Sequence, residues 1–183
     1  MRGTGPPAGR ILIATVVAAS GLLALSGVAG AATVQPRNTT EPTLVDRMND
    51  VRAAHGLRAL RVSSQLTDAA TRHANSMGYR GYFRHDLKRK GTWYGFGTWI
   101  RWFWPGPGYT SWAAGENLAW GAPSLGAGKT VTWWMNSAPH RANLLGSWRY
   151  VGVAVVHVTA PAGYYRDYPE VTIVAADFGK RSG

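Results

Sequence analysis

Two apolar runs constrain the fold of this chain more than any other feature. Residues 151–158 read Val-Gly-Val-Ala-Val-Val-His-Val, and residues 171–178 read Val-Thr-Ile-Val-Ala-Ala-Asp-Phe. Both are rich in β-branched residues and bounded by turn formers, and the stretch from Pro161-Ala162-Gly163 to Pro169 suits an antiparallel connection. Neither run alternates apolar with polar, as a strand with one wet face would. Strands apolar on both sides belong to a sheet covered on both faces, and helices are the usual cover. The expectation is an α/β fold, a three-layer α/β/α sandwich with a mainly antiparallel central sheet. His157 falls near a strand end, with Tyr164 to Asp167 following, and reads as surface-facing and structural.

The helices to cover that sheet are legible. Leu44, Val45, Met48 and Val51 recur at spacings of three and four, with Thr43 as the cap and Gly56 after the end. His55 sits in the last turn, where a solvated histidine suits the helix dipole. A second helix is predicted from Ser63 or Ser64 to about Met77, with Leu66, Ala69, Ala70, His73, Ala74 and Met77 along one side. His73 then lies on the packed face among small alanines and reads as a hydrogen-bonded core histidine rather than a ligand. A third helix is predicted over residues 130–137, with Val131, Trp134 and Met135 on one stripe. Pro139 breaks or restarts it, and a short turn through Leu144 and Leu145 closes at Gly146.

The start of the chain reads as an export signal. Arg2 and Arg10 are basic, residues 11–28 are apolar, and Ala29-Gly30-Ala31 supplies small residues for cleavage. The alternative is a retained membrane anchor, since the apolar run approaches the ~18 to 20 residues of a spanning helix. The reading is a signal peptide over 1–31, a flexible lead over 32–42 where Pro, Asn and Thr dominate, and one domain over 43–183. The protein is therefore expected to be secreted or extracytoplasmic. Losing Arg2 and Arg10 with the leader takes the formal charge from +11 to +9. A surface that basic attracts polyanions, and outside the membrane these are cell-wall polymers and lipid head groups. Nucleic acid is a poor candidate, because no recognition motif accompanies the charge. The chain has no cysteine, so it rests on its hydrophobic core rather than on disulfides, and thiol chemistry is excluded.

Three short segments carry the chemistry: Phe83-Arg84-His85, then Gly115-Glu116-Asn117-Leu118-Ala119-Trp120-Gly121, then Trp134-Met135-Asn136-Ser137-Ala138-Pro139-His140-Arg141-Ala142-Asn143-Leu144-Leu145. Two imidazoles and a carboxylate, brought together, can hold a divalent metal or move a proton. Taken singly each segment is weak, since Gly and Asn are common in turns and Glu is usually solvated.

In order and wording the three segments resemble the bacterial branch of the CAP superfamily, the cysteine-rich secretory, antigen 5 and pathogenesis-related proteins. The resemblance covers residues 44–179 and implies the same α/β/α sandwich, with these positions folded around one cleft. In animal and plant members that cleft carries two histidines and two glutamates. Here the first histidine resembles His85, the glutamate of the Gly-Glu-Asn motif resembles Glu116, and the second histidine resembles His140. The second glutamate of those relatives lies three residues after a tryptophan. That tryptophan resembles Trp134, and position 137 is serine.

The serine bears on chemistry. His85, Glu116 and His140 can form a three-ligand site for zinc or another divalent metal, but the missing carboxylate removes an orienting group or proton acceptor. A serine hydrolase would need Ser137 against one histidine and Glu116 orienting that same histidine from the other side. No Gly-x-Ser-x-Gly elbow supports it.

Between Lys90 and Gly115 lie five of the nine tryptophans. Trp93, Trp99, Trp102, Trp104 and Trp112 are interleaved with Gly, Pro, other aromatics and Arg101, and Lys88-Arg89-Lys90 precedes them. Three roles are open: folding back to cover the cleft and core, a platform on which wall-polymer sugars stack, or peripheral contact with a membrane interface. The expected function is binding of a cell-envelope glycan, lipid or protein partner, with an extracellular hydrolase as the alternative.

Overall fold

The computed structural model describes residues 32–36 and 40–183; the expected signal peptide lies outside them. Along the chain run β1 (Thr33–Pro36), α1 (Thr40–Ala54), β2 (Arg61–Val62), α2 (Ser64–Arg80), β3 (Leu87–Arg89), β4 (Thr92–Tyr94) and α3 (Phe96–Trp99), which continues into a 3₁₀ turn at Ile100–Trp102. Then follow β5 (Ser111–Gly121), α4 (Ala127–Asn136), α5 (Ala138–Leu144), β6 (Tyr150–Thr159) and β7 (Glu170–Ser182).

The two apolar runs are β6 and β7, paired antiparallel from Tyr150 opposite Gly179 to Thr159 opposite Glu170. Among the described residues they form the centre of a five-stranded sheet ordered β1-β6-β7-β5, with β2 pairing in parallel on β6. Alternate residues serve opposite layers. Val151, Val153, Val155, Val174, Ala176 and Phe178 pack with Leu44, Met48, Val131 and Trp134 of α1 and α4. Ala154, Val156, Val158, Ile173 and Ala175 pack with Ala70, Ala74 and Met77 of α2. The architecture is the expected three-layer sandwich.

Several boundaries differ from the sequence reading. Residues 32–42 were expected as a flexible lead, but Thr33–Pro36 pairs antiparallel with the outer end of β6 and buries Val34. α1 begins at Thr40, ahead of the expected Thr43 cap, with Pro42 inside its first turn, where a missing N–H costs nothing. The Glu41 carboxylate accepts the Val155 N–H at 3.0 Å, between the stretches of β6 covered by β1 and β2. α2 continues one turn past Met77 to Arg80, and α4 starts three residues before Thr130. His157 is mostly buried rather than surface-facing, with Nε2 3.0 Å from the half-exposed Glu170 carboxylate, because at its place in β6 it is flanked by β1 and β7. His55 is exposed and donates to the Val51 carbonyl at 2.8 Å.

The aromatic stretch divides. Trp99 and Trp104 are fully buried with Leu66, Ala69, Leu87 and Ile100, so of the three roles left open these two ligand-loop candidates take the first, covering the core, and not that of a surface platform. Their rings fill the space between α2 and the end of the sheet. Trp112 lies half-buried in β5 with the Arg101 guanidinium 4.9 Å from its ring centre. Trp93 and Trp102 remain 39% and 42% exposed. Truncation should separate the two groups. Trp99→Ala is expected to cost about 3–5 kcal/mol in urea unfolding, and Trp102→Ala to stay within about 0.5 kcal/mol of wild type. Equal losses would mean that Trp102 is also part of the core.

Candidate functional site

The site lies at the free edge of β5, with α5 packed against one face of that strand and α2, seated over β6 and β7, reaching it from the other face through His73. Glu116 and Asn117 are consecutive in β5 and therefore point to opposite faces. Glu116 points toward α2 and is buried. Its Oε1 accepts from His73 Nδ1 at 2.6 Å, and its Oε2 from His85 Nδ1 at 2.6 Å. The His73 ring packs 4.8 Å from Trp99, and its Nε2 faces the Asp86 carbonyl at 3.3 Å. Trp99 Nε1 donates to the His85 carbonyl at 2.9 Å, so a buried tryptophan of the aromatic stretch fixes the loop that carries His85.

Asn117 faces α5. Its amide donates to the His140 carbonyl at 3.0 Å, and its Oδ1 accepts from Asn143 at 3.1 Å. Asn143 also donates to the Glu116 carbonyl at 2.9 Å, and Trp134 Nε1 donates to the Leu118 carbonyl at 3.1 Å. These side chains satisfy carbonyls that an edge strand would otherwise leave open to another chain. Gly115 is needed for the approach: a Cβ there would stand 2.9 Å from both Asn143 Oδ1 and the Trp148 ring. The Gly-Glu-Asn motif is thus a stretch of edge strand, which its residue pattern did not announce: the Gly admits α5, the Glu collects histidines and the Asn holds the His140 helix.

Electrostatically the groups differ. Burial alone would push the Glu116 carboxyl up, but pairing with His73 and then His85 outweighs it and holds Glu116 below the ordinary range. The hydrogen bond to Glu116 raises His85 against its partial burial. His140 is lowered, first by burial and then by the positive charge of His85. Ser137, at the junction of α4 and α5, has its Oγ 2.7 Å from His140 Nδ1. Ser137 also lines a mainly apolar slot with Phe83, Leu118, Trp120, Trp133 and Trp134. Tyr164 stacks on Phe83 and meets Trp120 edge-on, extending the aromatic wall outward.

The sequence reading missed three participants. His73 was read as a hydrogen-bonded core histidine, and it is one, but its partner is Glu116. Asn143 stood inside a quoted segment without a role. Asp177 is fully buried opposite Glu116 in the β5–β7 register, and no N–H or O–H donor of another residue reaches either of its carboxylate oxygens among the described residues. Burial, and then the charge of Glu116 and a hydrogen bond to it from the protonated acid, push the Asp177 carboxyl well above the ordinary range. A lone carboxylate inside an otherwise apolar strand run was the signal.

The expected metal centre does not fit this donor set. A ligand carboxylate must be open to the ion, and Glu116 is buried with each oxygen accepting a short hydrogen bond from an imidazole Nδ1. Among the described residues no group of three or more His, Asp or Glu side chains is placed to hold a metal ion. Glu116 orients histidines instead of acting as a ligand beside them. The serine triad does not form either, because Ser137 pairs with His140 while Glu116 orients His73 and His85.

A three-layer sandwich with an edge-strand Gly-Glu-Asn motif, His85 on the Glu116 carboxylate and the His140 carbonyl on the Asn117 amide, has the form of a CAP domain. The chain belongs to the cysteine-rich secretory protein family, whose sequence model matches residues 45–174. Among solved structures, an extracellular protein containing an SCP domain from Bacillus anthracis is 27% identical with a TM-score of 0.57, over 77% of this chain and 40% of that one. This chain therefore spans less than half of that protein. An outer surface protein from Borrelia burgdorferi is similar in fold, with a TM-score of 0.64 at 21% identity, over 82% of this chain and 100% of that one. No curated protein matches the sequence significantly.

Proposed function

We propose that this is an extracytoplasmic binding protein whose cleft, formed by His85, His140 and Ser137 over the buried Glu116, holds an anionic group of a cell-envelope partner. The export-like leader in the sequence supports the location, as do relatives described as an extracellular protein and an outer surface protein. One observation carries the binding role: Glu116 spends both oxygens on Nδ1 of His73 and His85. That fixes His85 with its Nε2 directed away from the carboxylate, as a positioned donor with raised proton affinity, without linking it to a nucleophile. The aromatic wall of Phe83, Trp120 and Tyr164 beside it gives a sugar ring or acyl group an apolar surface.

The reading predicts that association with purified peptidoglycan carrying its anionic wall polymer weakens in His85→Ala, measured by co-sedimentation. Because His85 is raised above 6.5, wild-type binding should be strongest below that pH and fall as pH rises through the raised value. Equal binding by His85→Ala at all pH values would exclude the cleft. A hydrolase remains the second reading because Ser137 Oγ lies 2.7 Å from His140 Nδ1, and the lowered proton affinity of His140 leaves a neutral imidazole beside the hydroxyl. Turnover of an ester, peptide or peptidoglycan substrate that Ser137→Ala abolishes would replace the binding reading.

A further inference from the structure

A second concave site lies between α2 and the aromatic insertion, sharing no residue with the cleft. It encloses about 450 Å³, within the roughly 300–1,000 Å³ of small-molecule sites. Asp68, Arg72 and Asn75 line it from α2, Arg89 from β3, and Trp102 from the 3₁₀ turn. These α2 residues fall at intervals of three and four, so they form one stripe, on the side of the helix away from its buried face.

Two features give the groove a chemical preference. Trp102 is held in place by Tyr94, which meets it edge-on at 5.0 Å, and by the Arg89 guanidinium, 5.2 Å from its ring centre. It nonetheless stays 42% exposed, a positioned aromatic surface rather than core. Among the described residues the arginine–carboxylate ion pairs are Arg84–Asp86 and Arg166–Asp167, so Arg72 and Arg89 keep their guanidinium donors for another acceptor. A planar guanidinium pairs best with a carboxylate or phosphate. The half-buried Asn75 amide supplies both a donor and an acceptor, and Asp68, one turn before Arg72, accepts from hydroxyl groups while repelling an anion at its end.

We propose that this groove binds an acidic polysaccharide, with a sugar ring against Trp102, its carboxylate or phosphate on Arg72 and Arg89, and ring hydroxyls on Asn75 and Asp68. The site would work independently of the cleft. The probe is a galacturonic-acid oligosaccharide titrated calorimetrically into the full mature chain, with a neutral malto-oligosaccharide and phosphatidylglycerol vesicles as parallel arms. Binding of the acidic oligosaccharide is expected, weakened at least tenfold by Trp102→Ala and by Arg72→Gln. Arg47→Gln removes the same charge from the exposed face of α1, on the opposite side of the sheet, and should leave the affinity unchanged. Both groove residues are exposed, so circular dichroism and Tm will show whether the variants remain folded. Undiminished affinity in folded Trp102→Ala and Arg72→Gln overturns the proposal. So does equal affinity for the neutral oligosaccharide, or Trp102-dependent binding of the vesicles without binding of the acidic sugar.

Discussion

Gly152→Ala is expected to destabilise the protein by more than about 3 kcal/mol, beyond the usual cost of overpacking a core. In β6, Gly152 lies opposite Asp177, and its missing side chain would point at α2. A Cβ there would stand 2.0 Å from both the Leu66 carbonyl carbon and the Thr67 amide nitrogen. These are backbone atoms in the first turns of a helix, so no rotamer change relieves the clash and α2 must lift as a unit. Lifting it opens the layer containing Ala70, Ala74 and Met77 and moves His73 away from Glu116. For a domain of this size the Tm should fall by roughly 10 °C, or the cooperative transition should vanish. A Tm equal to wild type would mean that α2 is not seated on the sheet as described.

Removing Glu116 should have a comparable effect and change the pH profile as well. Glu116→Ala deletes the carboxylate that pairs with buried His73 and with His85, and breaking a buried pair typically costs about 3–5 kcal/mol. The sign of the pH dependence follows from the directions of the shifts. Glu116 is held below 4.5, so its stabilisation is present above that pH and is lost as pH falls through the lower folded value. His85 is raised above 6.5, so its stabilisation is complete below that pH and is lost as pH rises through the folded value. The difference in unfolding free energy between wild type and Glu116→Ala should therefore be largest between 4.5 and 6.5 and shrink on either side. Asp177 adds a slope of its own. It is raised above 3.8, so the folded state retains a proton there and stability falls as pH rises from that point, less far in the variant because the Glu116 charge that helps raise Asp177 is gone. A difference independent of pH, measured by urea unfolding, would show that Glu116 acts through packing alone.

Local sequence determined the layers. The runs at 151–158 and 171–178 could be buried on both sides only between helices, and the spacing of Leu66, Ala70, Ala74 and Met77 marked the helix that covers one face. The motifs Phe83-Arg84-His85, Gly115-Glu116-Asn117 and Pro139-His140 identified residues that do lie at one strand edge, because the three short segments, weak singly, are specific when read together in order. Tertiary structure decided how they pair. That Glu116 takes His73 and His85 and leaves His140 to Ser137 depends on α2 and α5 lying on opposite faces of the sheet, with β5 at its edge, a relation among segments dozens of residues apart. The same applies to the aromatic stretch. Trp99 and Trp102 are three residues apart in the same composition, yet one is sealed beneath α2 and the other faces water, because burial is set by which surface a short helix presents to the sheet. Asp177 belongs to the same class: its sequence neighbours made a strand, and only the antiparallel register set a second carboxylate beside Glu116 away from water.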